Sequence, residues 1–243
     1  MPFTLAHPAL VVPLRNRGLP LTPMVVGAMV PDLPAMVGLE GTRPWTHSLL
    51  GAVTVDLVLG MLAFLLWYVV LRRPLVDLAP DPWRGRLPDR VPMSRRAWLI
   101  FVPAVAVGAT THVLWDAFTH EDTWVTDRVG PLRAELLDVP VYTWGQHVFT
   151  VIGLAVVAVA LRRYLLALPE QPSKGPPLVG RWALVVALCS GALLGLGIAA
   201  LVTPWGLEAV AYYGVVTTML VAGFGATCVC VWWHVKRRTR QVV

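Results

Sequence analysis

Charged residues are scarce in this sequence. They make up 14% of its 243 residues, whereas a soluble domain usually carries about 25%. Hydrophobic residues make up 56%, and the mean hydropathy is +0.65. The few charges lie between long apolar runs rather than within them, which is the pattern of membrane-spanning helices. The composition therefore excludes an ordinary soluble domain.

Cysteine is also scarce, with three in the chain. Cys189, Cys228 and Cys230 all fall inside apolar runs, where cysteine behaves as a small hydrophobic residue. This pattern excludes a disulfide framework. The first residues also lack the basic segment, apolar segment and cleavage site of a signal peptide, so we expect the mature chain to begin at or near Met1.

Acidic residues are fewer than basic ones, 14 against 20, which gives a formal charge of +6. A basic chain can bind nucleic acid, but here the lysines and arginines flank the apolar runs. Basic residues in such positions are typical of the cytoplasmic loops of membrane proteins. We therefore expect the membrane as the surroundings and no nucleic-acid partner.

The apolar runs predict an all-α fold, a polytopic membrane helix bundle that forms a single membrane domain over residues 1–243. About five long spans are expected, at residues 48–71, 97–119, 147–168, 182–203 and 209–233. The third apolar run ends near Leu161 and is too short for a hydrocarbon core of about 30 Å. We therefore expect its helix to continue to Leu168.

Residues 1–34 predict a short helical hairpin before the spans. Two apolar stretches, Phe3 to Leu14 and Leu21 to Val30, flank a turn that contains glycine and proline. Pro31 and Pro34 are expected to end the second arm. If the arms are antiparallel, the start of the first arm returns to the level at which the second arm ends.

The charges of the loops predict the orientation. The loop from Glu121 to Gln146 is acidic. Arginine and lysine are instead abundant in the loop after the first predicted span, in the loop after the third, and in the C-terminal tail. The positive-inside rule places the acidic loop outside and the C-terminus in the cytoplasm.

Histidines and aspartates cluster at the external ends of the predicted spans. Ionisable groups within spans are costly and usually face a site or a cavity. His112, Asp116 and His120 recur every four residues and so share one helix face. His47 opens the first span on the same side, and Asp32 precedes it by a short loop. The sequence predicts one layer of the bundle that holds these side chains.

Two further histidines can join this layer. His147 opens the third predicted span from the same side, and His7 reaches the layer if the hairpin is antiparallel. Imidazoles and carboxylates together bind divalent ions such as Zn²⁺, Mn²⁺, Fe²⁺ or Mg²⁺, one or two of which could fit here. Near the water boundary, His120, Glu121 and His147 are candidates for the general acid or base of a reaction.

Structural roles remain open for the same residues. A lone histidine at a helix end is often only a hydrogen-bonding group, which applies to His7. The pair of His112 and Asp116 could be a structural hydrogen bond. Asp56, a separate acid within the first span, could serve helix packing or support the site.

Four segments of the chain carry a family resemblance: Met1 to Pro8, Val30 to Pro34, Thr46 to Gly51 and Thr111 to His120. Together they resemble a family of uncharacterised bacterial integral membrane proteins classed as a domain of unknown function. Their order is also similar to that of the bacterial inner-membrane-bound metal-dependent hydrolases. This second resemblance implies the bacterial inner membrane as the location. The metal ligands that it implies are His7, Asp32, His47, His112 and Asp116.

One departure from the hydrolase pattern concerns the residues after Asp32. Those hydrolases typically have a further acid and histidine there, whereas this chain has Leu33, Pro34 and Ala35.

Three functions are compatible with these patterns. The first is a membrane-embedded metal-dependent hydrolase that acts on a lipid or lipid-linked phosphate or ester, with water as the nucleophile. The second is a metal-dependent prenyl-diphosphate cyclase or transferase, although the chain has no Asp-Asp-x-x-Asp element. The third is a non-enzymatic membrane scaffold or a metal or proton transporter. The oligomeric state is left open.

Overall fold

The structure is a computed structural model that describes residues 4–88, 91, 93–171 and 175–241. Among these residues, five helices are long and apolar enough to cross a membrane, judged by length and composition. We number them as spans 1 to 5: Leu49–Leu78, Phe101–Thr119, Val141–Ala167, Trp182–Leu201 and Leu207–Arg240. The predicted all-α polytopic bundle is confirmed.

The ends of the spans differ from those predicted, because helices continue beyond the limits of the apolar runs. Span 1 passes through Arg72 and Arg73, and span 3 begins at Val141 rather than at His147. Span 3 ends at Ala167, so its helix continues past Leu161 as expected. Before span 2, a separate short helix, Arg95–Leu99, takes up the first residues of the predicted run.

The chain divides into two compact units, Met1–Phe64 with Pro92–Ala167 and Leu65–Val91 with Leu168–Val243. The prediction of a single membrane domain stays a prediction, because two groups of residues with many internal contacts need not fold independently of each other. The candidate site lies wholly within the first unit.

Short helical turns connect the longer elements of the first unit. Its 3₁₀ segments are Thr4–Leu10, Val12–Leu14, Val30–Asp32 and Glu40–Thr42. Its α-helices are Leu21–Gly27, Leu33–Met36, Arg43–Thr46, Leu49–Ala52, Val55–Leu65, Arg95–Leu99, Phe101–Thr119, Gly130–Arg133 and Val141–Ala167. Strands Glu135–Leu136 and Val139–Pro140 form a two-stranded antiparallel ladder that precedes span 3.

The N-terminal hairpin is present, with arms Thr4–Leu14 and Leu21–Met36. Residues 1–3, which the prediction includes, lie outside the described residues. The first arm is 3₁₀ rather than α-helical and contains Pro8, which cannot donate a backbone hydrogen bond. The second arm continues to Met36, beyond the expected stop at Pro31 and Pro34, because both prolines occupy the first turns of new helical segments. The arms are antiparallel, since Thr4 hydrogen-bonds to Asp32.

Small residues allow the hairpin to approach spans 2 and 3 closely. A Cβ atom on Gly108 of span 2 would lie 2.1 Å from the carbonyl oxygen of Met24, and one on Gly153 of span 3 would lie 2.8 Å from the Cβ of Ala6. Any larger side chain at either position would push the hairpin away. These contacts hold His7 and Asp32 beside span 2.

The second unit contains the antiparallel pair of spans 4 and 5. Its segments are the π-helix Leu66–Leu71, the α-helices Arg72–Leu78, Asp81–Arg84, Trp182–Leu201 and Leu207–Gln241, and the 3₁₀ turn Thr203–Trp205. Its apolar core includes Leu78, Val179 and Trp233. Asp77 accepts hydrogen bonds from Trp233 Nε1 at 2.8 Å and Arg84 Nη2 at 2.6 Å, so this acid has a structural role.

Candidate metal centre

Four side chains of the first unit direct one ligand atom each at a common point. These atoms, from Asp32, His47, His112 and Asp116, all lie within 4.8 Å of one another. His47 Nε2 lies 3.3 Å from Asp32 Oδ1 and 3.4 Å from Asp116 Oδ2. His112 Nε2 lies 3.5 and 3.6 Å from the same two oxygens. Nitrogen and oxygen atoms therefore alternate around the point.

Three separate pieces of chain bring these residues together. Span 2 supplies His112 and Asp116, which lie one helical turn apart on its buried face. His47 ends the short helix Arg43–Thr46, and the side chain of Ser48 then caps the next helix by accepting a hydrogen bond from Gly51. Asp32 ends the 3₁₀ turn that Pro31 starts in the hairpin.

Three of the four side chains of this cluster also have a hydrogen-bond partner on the side away from the common point. His112 Nδ1 donates to the carbonyl oxygen of Ala28 at 2.8 Å, and Thr4 Oγ1 donates to Asp32 Oδ2 at 2.7 Å. His47 Nδ1 lies 3.0 Å from Thr46 Oγ1. Partners of this kind fix the ring tautomer and orientation of metal-binding residues.

Asp116 has additional neighbours. Its Oδ1 lies 3.6 Å from His7 Nε2, and the His7 ring stacks on His112 with centroids 3.8 Å apart. Its Oδ2 lies 3.3 Å from Arg43 Nη2 and 3.5 Å from His120 Nδ1. His7 thus lies beside the four-residue cluster without belonging to it.

Burial controls the charge of the two neighbouring histidines. It lowers the pKa of His7 to about 3, and the adjacent His112 adds to this effect, so His7 is neutral at pH 7. Burial also lowers the pKa of His120 to about 4; Asp116 opposes this effect and Arg43 reinforces it. For Asp32, burial acts to raise the pKa, but His112 and His47 outweigh it and hold the pKa below its ordinary value.

The donor set fits a divalent cation. With its Nδ1 hydrogen donated to Ala28, a neutral His112 presents a lone pair at Nε2, which faces two carboxylate oxygens. Acceptor atoms that face one another require a positive charge between them, and either a proton or a metal ion can supply it. Ligands about 2.1 Å from a tetrahedral ion lie about 3.4 Å apart. The four nitrogen–oxygen separations, 3.3 to 3.6 Å, are of this size, and all separations within the group are at most 4.8 Å.

The three candidate acid–base residues differ in how deeply they are buried. His120 follows the last residue of span 2 in an extended conformation, yet its Nδ1 turns back to within 3.3 Å of the Asp116 carbonyl oxygen. Its Nε2 is buried and has no hydrogen-bond partner among the described residues. Glu121 and His147 are exposed side chains; His147, in the second turn of span 3, packs beside Trp144.

Asp56 is fully buried in span 1, and its carboxylate oxygens have no hydrogen-bond partner among the described residues. Ala52, one turn before it, packs with Ala109 and Val113 of span 2. Asp56 lies on this packed face and interacts electrostatically with His47. It is therefore a neighbour of the cluster and not one of its four ligand residues.

Sequence reasoning missed three groups of the site. Arg43 is one, because an arginine between short turns carries no periodic pattern. The carbonyl of Ala28 is another, because a backbone atom leaves no trace in residue types. Thr4 is the third, because its hydroxyl bonds to Asp32, which is 28 residues away in the chain.

Comparison with known proteins gives one result. Neither the curated proteins nor the solved structures gave a match. A family model described as "Domain of unknown function (DUF4184)" matches residues 1–234. The match includes the whole candidate metal centre. The chain therefore belongs to the DUF4184 family of proteins that share this domain of unknown function.

Proposed function

We propose that this protein is a membrane-embedded, metal-dependent hydrolase that acts on a lipid or lipid-linked phosphate or ester. The observation that carries the proposal is the alternation of two imidazole nitrogens and two carboxylate oxygens, at 3.3 to 3.6 Å, in a buried layer. A metal ion would be a common partner for the two carboxylate oxygens and for the imidazole lone pairs that face them.

In this proposal Asp32, His47, His112 and Asp116 hold one divalent ion. Such an ion lowers the pKa of a water ligand toward about 7 and polarises a phosphoryl or carbonyl oxygen of a substrate. His7 supports the ion indirectly through Asp116 Oδ1, since it lies outside the four-atom set. The identity of the metal follows from the ligands only as far as the class of Zn²⁺, Mn²⁺, Fe²⁺ and Mg²⁺.

His120 is the residue that we assign to proton transfer. Hydrolysis consumes one water, whose oxygen joins the substrate and whose protons leave with the two products. With its Nδ1 hydrogen directed at the Asp116 carbonyl, His120 keeps a lone pair on Nε2, which has no hydrogen-bond partner among the described residues. We assign this lone pair as the proton acceptor. The His120 ring contacts the cluster through Nδ1, which lies 3.5 Å from Asp116 Oδ2. Glu121 and His147 are the weaker candidates, because both are exposed.

The location of the site supports a lipid substrate. The cluster lies where span 2 ends, and the residues that lead into span 1 next to it carry exposed apolar side chains. By the loop charges, we place this layer toward the external side of a bacterial inner membrane.

Metal analysis of the purified full-length protein tests the proposal. We expect about one equivalent of a divalent metal in the wild type and almost none in the H112A/D116A double variant. Equal, substoichiometric metal in both proteins would refute the metal site.

With metal bound, H120Q should lower the hydrolysis of lipid phosphates or esters without lowering the metal content, whereas E121Q should change neither. Release of diphosphate with a hydrocarbon product would instead support the prenyl alternative, and ion flux in liposomes would support the transporter.

A further inference from the structure

Arg43 is the cation at the open side of the metal centre. The exposed fraction of the side chains rises from 0% for His112 and 2% for Asp32 to 9% for His47 and 33% for Arg43. His120, which also contacts Asp116, is 13% exposed, so Arg43 is the most exposed of these side chains. Arg43 starts the short helix Arg43–Thr46, which leads directly into the ligand His47. The guanidinium is thus held at the entrance by the same segment that positions a ligand.

The guanidinium has unused hydrogen-bonding capacity. Its Nη2 donates to Asp116 Oδ2 at 3.3 Å, and the described residues give it no second acceptor. A guanidinium carries five N–H donors in a planar fork. Most of the fork therefore remains available to a ligand that enters beside Asp116.

A bound divalent ion would leave a positive sum on the groups in direct contact. Two carboxylates and one guanidinium contribute −1, the imidazoles are neutral when they bind a metal, and a divalent ion contributes +2. A positive charge in a largely buried site needs an anionic partner. A neutral carboxylic ester offers none, whereas a phosphate oxyanion does. Arginine forks bind phosphate through paired hydrogen bonds.

Exposed apolar side chains follow Arg43 in the chain. Trp45 is 67% exposed, Leu49 53% and Leu50 67%, and we call these three side chains the apolar rim. They follow Arg43 within seven positions of the chain, at the start of span 1. A ligand whose phosphate contacts Arg43 can therefore place a hydrocarbon chain against the rim.

From these observations we infer that Arg43 binds a phosphate oxyanion carried on a lipid, and that it selects phosphate over neutral ester substrates at the metal centre. This inference rests on the proposed metal site. It narrows the substrate class from a phosphate or ester to a lipid phosphate. Arg43 acts in binding and selection, and the chemistry of hydrolysis stays with the metal centre and His120.

The test uses the full-length, metal-loaded protein in maltoside micelles, which contain no phosphate. Orthophosphate binding is measured by calorimetry for the wild type, R43Q, R43K and the control R128Q. Arg128 is the control because it donates to the Trp124 carbonyl oxygen and not to a residue of the cluster. We expect R43Q to weaken orthophosphate binding about 10- to 100-fold, as for the loss of hydrogen bonds to a charged group. R43K should bind orthophosphate more weakly than the wild type and more tightly than R43Q. R128Q should bind it as tightly as the wild type.

A lipid arm identifies the source of the phosphate. Short-chain phosphatidic acid should bind more tightly than orthophosphate and depend on Arg43, whereas diacylglycerol, the same lipid without phosphate, should not bind. Orthophosphate binding without phosphatidic acid binding would overturn the lipid assignment. Unchanged binding in R43Q, or loss of metal from R43Q, would overturn the role of Arg43. If the wild type itself holds no metal, the proposed function fails instead, so the two failures are distinguishable.

Discussion

The hydrogen bond from Thr4 to Asp32 gives a quantitative test of the metal centre. Thr4 Oγ1 donates at 2.7 Å to Oδ2 of Asp32, while Oδ1 of the same carboxylate is one of the four ligand atoms. Both residues are buried. In T4V the shape of the side chain is kept, but Oδ2 loses its donor and the carboxylate is free to rotate away from the common point.

Two estimates of the effect agree. Loss of a hydrogen bond to a charged group costs about 1.5 to 3 kcal/mol. Loss of a partner that orients a metal ligand typically lowers the metal affinity about 10- to 100-fold, which corresponds to about 1.4 to 2.8 kcal/mol. We therefore expect T4V to bind metal about 10- to 100-fold more weakly than the wild type, with the stoichiometry unchanged.

The assay is a competition titration against a fluorescent chelator with the purified protein in detergent. T4S keeps the hydroxyl donor and should retain the wild-type affinity. T42V is the matched control, because Thr42 donates at 2.7 Å to the Leu39 carbonyl on the exposed surface. An affinity of T4V within twofold of the wild type, with T4V still folded by circular dichroism, would refute the assignment of Asp32 as a ligand oriented by Thr4.

Two further predictions concern the same centre. H7N should weaken metal binding about 10- to 100-fold without abolishing it, because His7 contacts Asp116 Oδ1 rather than the common point; a complete loss of metal in the chelator titration would make His7 a ligand instead. Metal affinity should fall as the pH falls from about 8 to about 5, because protons compete for the imidazoles that must be neutral to bind; a pH-independent affinity in calorimetry would contradict the histidine ligands.

The sequence predicts much of the site because its signals are local or topological. The spacing of His112 and Asp116 defines one helix face whatever the surroundings. The alternation of the spans brings His47 to the same side of the bundle, and the predicted hairpin brings back His7. These steps need only apolar runs, loop charges and the helical period.

The remainder depends on contacts that residue types do not specify. The stacking of the His7 ring on His112 is one such contact, and the assignment of His7 as a metal ligand stays a prediction. His147 was expected at the opening of span 3, but Val141–Ala167 starts six residues earlier, after the strand ladder, and carries His147 to an exposed position. The sequence does not predict a role for Arg43, because its contact with Asp116 arises only in the folded chain.

The antiparallel hairpin also bears on the biogenesis of the protein. An arm of eleven residues, Thr4–Leu14, is about 16 Å long even as an α-helix, about half of a bilayer core. It cannot integrate as an independent span, although it precedes all five spans in the sequence. Asp32 and His47 precede span 2 in the sequence, and the layer is complete only when span 2 adds His112 and Asp116. The proposed metal ion would therefore bind only after the hairpin and span 2 have packed together, and an assembly intermediate that lacks span 2 would carry no ion.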